Sequence, residues 1–370
     1  MRGHAKAQPE FLSLISPESV VPQDHPLRTI KAHVDEVLRR MNRDFEAMYA
    51  QEGRPSIPPE RLLKAKLLIA LYSVRSERLF CEQLSYNLLF RWFLDMDLTE
   101  AGFVQSAMSK NQERLLKHRV VETFFRAVYD LSRQQGWASD EHFTVDGTLI
   151  EAAASLKSFV PKQSAKSPGE DDPGNPTVNF HGQKRRNDTH QSTTDPQARL
   201  YRKGQGKEAR LYFAAHALME NRHGLLSDIE VTSATETTEP KVALEQLRRH
   251  ARRTRRKIRS VGADKNYHCA EFVGGCRRRG SRPHVAQIKD RWVKGLDGRT
   301  TRQSSYALSQ RKRKRVEEIF GWMKTVGGLR RTRFIGIERT GLWAYLVGAA
   351  YNLVRMGQLG LGPPMEMAAA

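Results

Sequence analysis

The chain has 370 residues, 39% of them hydrophobic, with 62 lysines and arginines against 41 acids and a net charge of +21. That length suits two domains of ordinary size and that apolar share suits a buried core. Cys81, Cys269 and Cys276 form neither a CxxC nor a Cys/His zinc pattern. So sparse and odd a count excludes a secreted disulfide scaffold and points to a reducing, cytoplasmic setting.

The opening MRGHAKAQPEFL has no apolar run after its charges and is not a signal peptide. The longest apolar stretch, LWAYLVGAAYNLV at 342–354, is too short to span a bilayer and reads as a core helix, so no membrane partner is expected. The positive charge is clustered in ARRTRRKIR (251–259), CRRRGSR (276–282) and RKRKR (311–315). Clustered cations gain free energy by releasing counterions from a polyanion, so nucleic acid is the expected partner. A generally basic surface is the alternative that composition leaves open.

In chain order, one helix is predicted over Leu27–Met48. SIPPERLLKAKLLIALYS places prolines in a first turn, then an apolar stripe at Leu62, Leu63, Lys66, Leu67, Ala70 and Leu71. Another helix is predicted over Cys81–Phe93. Ser109 followed by Gln112 has capping-box spacing, and the helix it would start buries Leu115, Leu116, Val120, Val121, Phe124, Phe125, Val128 and Leu131. Residues 1–135 therefore read as an all-helical unit for DNA binding or dimerisation, with a plain helical bundle as the alternative.

Residues 136–360 have a different character. HFTVDGTLI is β-branched and alternating, a strand. A flexible insertion is expected at about 155–205, where Pro, Gly, Ser, Asp and Lys dominate without a period. ARLYFAAHALME and GLLSDIEVTS read as a hairpin around Asn221–Gly224. EPKVALEQLRRHARR is a helix started by Pro240, IRSVGAD a strand ending in Asp264, Cys269–Arg279 a helix and PHVAQI a strand. Residues 305–326 and 340–357 are helical. The order predicts an α/β fold, a mixed sheet flanked by helices, with no internal repeat.

Against so basic a background, acids at apolar strands stand out. Asp146 lies within its strand and Asp264 at a strand's C-terminal end, where α/β sheets place ligands. Each alone reads equally as a turn or capping aspartate. In RKRKRVEEIFGWMK (311–324), about 100° per residue puts Arg313, Glu317, Phe320 and Lys324 on one stripe, with Glu318 pointing away. Arg313 and Glu317 could be a surface ion pair. Phe320 on the same stripe implies instead that Glu317 is half buried against the sheet, where a carboxylate needs a partner or a metal. Three hard oxygen ligands from separate elements suit two Mg²⁺ (or Mn²⁺) ions clamping an in-line phosphoryl displacement, with Arg313 and Lys324 on the DNA phosphates. No P-loop, GxGxxG or Ser/His/Asp set competes with this reading.

These stretches resemble the DDE transposases of bacterial insertion sequences, of the IS-four and IS-five type, over most of the chain. Residues 55–94 are similar to the family's helical N-terminal domain, FTVDGTLIEA to its first aspartate motif and GADKNYH to its second. NDTHQSTTDPQARLYRKGQGKEARL is similar to the stretch before its second strand. RKRKRVEEIFGWMKTVGGLRRTRFIG carries the spacing Arg, three residues, Glu, six residues, Lys, which selects Arg313, Glu317 and Lys324. The resemblance implies an RNase H-like core and catalytic, metal-binding Asp146, Asp264 and Glu317. It further implies double-stranded DNA partners (terminal inverted repeats and target), cleavage with strand transfer, and a homodimer. The fuller signature has tyrosine where this chain has Gln310. An inactive DNA-binding protein on the same fold, or a metal-dependent nuclease, are the alternatives.

Overall fold

The computed structural model describes residues 16–49, 52, 56–162, 186–202, 208–235, 239–288 and 291–360. Eight helices come first: α1 (Pro17–Val20), α2 (Pro26–Arg40), α3 (Asn42–Glu46), α4 (Pro59–Leu71), α5 (Glu77–Tyr86), α6 (Leu88–Phe93), α7 (Gln105–Lys117) and α8 (Val120–Gln134). The sequence-based helices survive but are cut shorter, each break having a local cause. Between α2 and α3 the chain turns at Met41, and both Met41 and Phe45 enter the core. Asn87 ends α5 and caps α6, its carboxamide accepting from the Phe90 amide at 3.1 Å. Ser109 is not an N-cap: α7 begins at Gln105, and Gln112 turns inward to accept from buried Lys66 at 2.7 Å. α7 and α8 are separated at Arg119, whose left-handed φ of 51° no helix interior tolerates.

α4 is buried on all sides, which explains lysines in an apolar helix. Lys64 meets Asp35 at 2.5 Å and also pairs with Asp95, while Lys66 pairs with Glu77. Buried ammonium groups persist only when paired in this way.

The strands are β1 (His142–Glu151), β2 (Phe159–Pro161), β3 (His190–Ser192), β4 (Arg199–Arg202), β5 (Ala209–Glu220), β6 (Leu226–Ser233), β7 (Ser260–Ala263) and β8 (Arg282–Val285). The main sheet runs β5-β1-β7-β8, with β6 and β4 both pairing with β5. β1 is antiparallel to β5, and β5 to β6; β7 is parallel to β1, and β8 to β7. Three antiparallel strands followed by two parallel ones, with the first strand central, is the RNase H-like arrangement. The region 155–205 is not structureless throughout: β2 pairs with β3 in a small separate sheet and β4 extends the main one. The middle of that region, 163–185, lies outside the described residues.

The remaining helices are α9 (Glu239–Thr254), α10 (Ala270–Arg278), α11 (Gly298–Thr301), α12 (Ser304–Lys312), α13 (Val316–Thr325) and α14 (Ile337–Gly360). Strand alternation sorts the sheet's faces. Phe143, Val145, Val261 and Ala263 pack with Leu244, Leu247 and Phe272 of α9 and α10. The opposite face belongs to a larger core that includes Ile150, Phe320, Leu346, Val347 and the buried residues of α2, α4 and α8. α14 is apolar around most of its circumference and forms the hub of that core, so the helical N-terminal region and the sheet share one apolar interior. No helix among the described residues is long and apolar enough to cross a membrane.

Candidate active site

Asp146 is placed by the pairing of β1 with β7. The parallel register joins His142 to Ser260, Phe143 to Val261 and Thr144 to Gly262. Two residues past the last of these pairs β1 carries Asp146, and Asp264 follows directly on the end of β7, close enough for its charge to act on Asp146. Since Val145 and Ala263 point into the α9–α10 core, both aspartates belong to the other face. β7 ends at Ala263, and Asp264 caps the turn that follows by accepting from the Asn266 amide at 2.8 Å. β1 continues to Glu151, so its second half borders an open edge where β7 has stopped.

Glu239, the first residue of α9, reaches that edge from the opposite face. Its Oε1 lies 2.7 Å from where a Cβ on Gly147 would sit, so the glycine makes room for the carboxylate. Asp146 is consequently perturbed: burial above all, then Asp264 and Glu239, push it from 3.8 to about 7, against the Gly147 amide and Arg313, which lower it. Glu239 is raised too, by burial and by Asp264, while a hydrogen bond from Asn266 opposes. Sequence reasoning missed Glu239. An acid in the first turn of a helix reads as a dipole partner, and nothing local reveals that Gly147 lies opposite it.

The α12–α13 run crosses the sheet above this pair. Over β8, Tyr306 Oη donates to Val285 O at 2.9 Å and Gln310 Nε2 to His284 O at 2.7 Å. Over β7, a Cβ on Gly262 would stand 3.5 Å from Arg313 Cβ and 2.9 Å from Ser309 Oγ, so the helix sits directly on the strand backbone. Over β1, Lys324 Nζ donates to Thr148 Oγ1. Arg313 and Lys324 thus mark the sheet-facing side, and Glu317 falls between them along the same run.

Glu317 is nevertheless exposed, and the expectation that it is half buried is corrected. Val316, Ile319, Phe320 and Met323 carry the packing of α13, and Glu317 stands at the margin of that stripe. Glu318 is exposed as well, so exposure does not separate the two glutamates. Among the described residues no three of His, Cys, Asp and Glu stand close enough to hold a metal ion. The fold therefore brings Asp146, Asp264 and Arg313 together, adds Glu239, and leaves Glu317 outside a closed cage. The donors suit a hard divalent cation: carboxylate oxygens on adjacent strands, whose mutual repulsion a cation would relieve.

A family profile described as "Transposase DDE domain" matches residues 137–353, and one described as "Transposase domain (DUF772)" matches residues 15–114. No curated protein matches the chain. Among solved structures, the chain is similar to a piggyBac transposase synaptic complex with hairpin DNA, at 8% identity, 91% coverage of this chain, 76% of that one and a TM-score of 0.43. It is also similar to a Mos1 transposase paired-end complex with the left transposon end, at 13% identity, 84% and 90% coverage and a TM-score of 0.21. Superpositions this loose equate no residues.

Proposed function

Because the chain belongs to the transposase DDE-domain family, we propose that Asp146, Asp264 and Glu317 are its catalytic carboxylates. The reaction is metal-dependent cutting of DNA at an element's terminal inverted repeats and joining of the freed ends to a target. The observation that carries this assignment is the closeness of Asp146 on β1 to Asp264 just past the end of its parallel neighbour β7, beneath a helix run bearing Arg313, Glu317 and Lys324.

Asp146 is held by β1 and Asp264 by the capped turn that follows β7, and Glu317 completes the set from α13. Two Mg²⁺ or Mn²⁺ ions held there would polarise the attacking hydroxyl and stabilise the leaving oxygen of an in-line displacement. Arg313 sits close enough to lower the Asp146 carboxyl and holds a non-bridging phosphate oxygen beside it. Lys324, anchored on Thr148, contacts the backbone further along β1. The arginine clusters and the N-terminal helices grip the flanking duplex, and two copies bring two ends together as a homodimer in the cytoplasm, on the chromosome.

The test uses DNA bounded by the inverted repeats that flank the gene. Asp264→Ala should abolish Mg²⁺-dependent cutting and leave the gel shift of the ends within about twofold, since only chemistry is removed. Unchanged cutting sinks the assignment. Products joined to a target distinguish transposition from simple nuclease action.

A further inference from the structure

We infer that Gln310 is a positioning residue that aims the guanidinium of Arg313 at the scissile phosphate; this rests on the assignment of Arg313 above. Both ends of its carboxamide are engaged. Nε2 donates to the His284 carbonyl of β8 at 2.7 Å, and Oε1 accepts from Arg313 Nε at 3.1 Å. The orientation of the amide is decided by its partners. A carbonyl can only accept and a guanidinium Nε–H can only donate, so the reversed amide would set oxygen against oxygen and nitrogen against nitrogen.

The strand carbonyl is a fixed point, because β8 is held in register by β7, with His284 opposite Gly262. The helix backbone is fixed as well, since Ser309 and Arg313 lie against Gly262. What remains free is the arginine side chain, whose rotamer freedom is large. Gln310 removes that freedom at Nε and leaves the two Nη groups for a phosphate, the geometry in which arginine binds oxyanions best. A continuous line thus runs from the β8 backbone through Gln310 to Arg313, and from Arg313 to Asp146, whose carboxyl the guanidinium already lowers. Methionine could fill the space of Gln310 and make neither bond. Glutamate could receive Arg313 but would face the His284 carbonyl with a negative charge and cancel the charge meant for phosphate.

The experiment measures single-turnover cutting of end-bearing DNA by the full chain in Mg²⁺, with Gln310→Met made in the native and the Arg313→Lys backgrounds. In the native background the rate should fall about tenfold, as expected when a charged group is misplaced by a fraction of an ångström, with end affinity unchanged. In the Arg313→Lys background, which lacks the guanidinium Nε–H, the same change should cost less than about twofold. Exchange of the Arg313 Nε proton, followed by NMR without metal or DNA, should quicken in Gln310→Met. Should Gln310→Met lower the melting temperature, Gln310→Leu, which also makes neither bond, is read in the same two backgrounds with the same expectation. Equal losses in both backgrounds, or native cutting by Gln310→Met, overturn the inference. Asp264→Ala run alongside separates the two assignments. If it still cuts, the catalytic reading fails; if it is dead while Gln310→Met cuts normally, only the role of Gln310 fails.

Discussion

The carboxylates of this site come from two kinds of element, and the molecule treats them differently. Asp146 sits on a strand and Asp264 just past the end of its neighbour, and Asp146 is perturbed by burial and by neighbouring acids. Glu317 sits on a helix, exposed, at the margin of the face that packs. A strand backbone fixes Asp146 and a capped turn fixes Asp264, whereas a helix packed through its apolar stripe leaves an edge glutamate free to swing. The sheet end brings two acids into a repulsive arrangement, and the helix leaves the proposed third one in solvent.

The largest effect should come from the preset pair. Asp146→Asn should lower Mg²⁺-dependent cutting by about 10³ or more while end binding persists, because the amide keeps the shape and removes the charge. Glu317→Ala should follow, at about 10²–10³, with Glu318→Ala within about twofold of the native rate. Equal losses at the two glutamates would show that the helix register, and with it the contrast between strand and helix donors, is wrong.

Acid should test the histidines buried on the two faces of the sheet that carries Asp146. Burial pushes His142, His216, His250 and His284 from 6.5 to about 4. Their folded values lie below the unfolded one, so the stability they protect is complete above pH 6.5 and is lost as pH falls toward 4. Asp146, raised from 3.8 to about 7, works in the opposite direction, as do the raised carboxyls of Asp130, Asp228 and Glu239, while Asp95 and Asp140, held below their ordinary values by their cationic partners, add to the loss at the acid end. Urea midpoints should therefore drop across this range. A flat profile would mean that the histidines are not neutral and buried as described.

The smallest effect should come from Gly147→Ala. The new Cβ meets the end of a flexible side chain, so Glu239 should swing away at a cost below about 1 kcal/mol. The Mg²⁺ concentration for half-maximal cutting should shift by no more than a fewfold. A loss as deep as that of Asp146→Asn would promote Glu239 to equal standing with the strand acids.

Much of this was legible in the residues. The alternation of HFTVDGTLI marks β1 and puts Asp146 opposite its apolar neighbours, and the apolar period around 305–326 marks a helix with Arg313 and Lys324 on one side. Those signals are local: a period of two or of about 3.6 is written in neighbouring residues. The finer breaks were less legible, because Asn87 and Arg119 act through cap and backbone geometry and not through hydrophobic period. Gln112 has the spacing of a cap, yet a lysine from another helix claims it.

The sequence by itself determined most strands and helices outside 155–205, the family to which they belong, and the acids worth watching; β2, β3 and β4 within that region were not legible. Only the tertiary structure decided that Asp264 comes close to Asp146, that Glu239 joins them across Gly147, and that Glu317 remains in solvent. The physical reason is the same in each case. Register between strands more than a hundred residues apart, and the seating of a helix on a sheet, are set by how whole apolar faces close on one another, and no short stretch of chain carries that information.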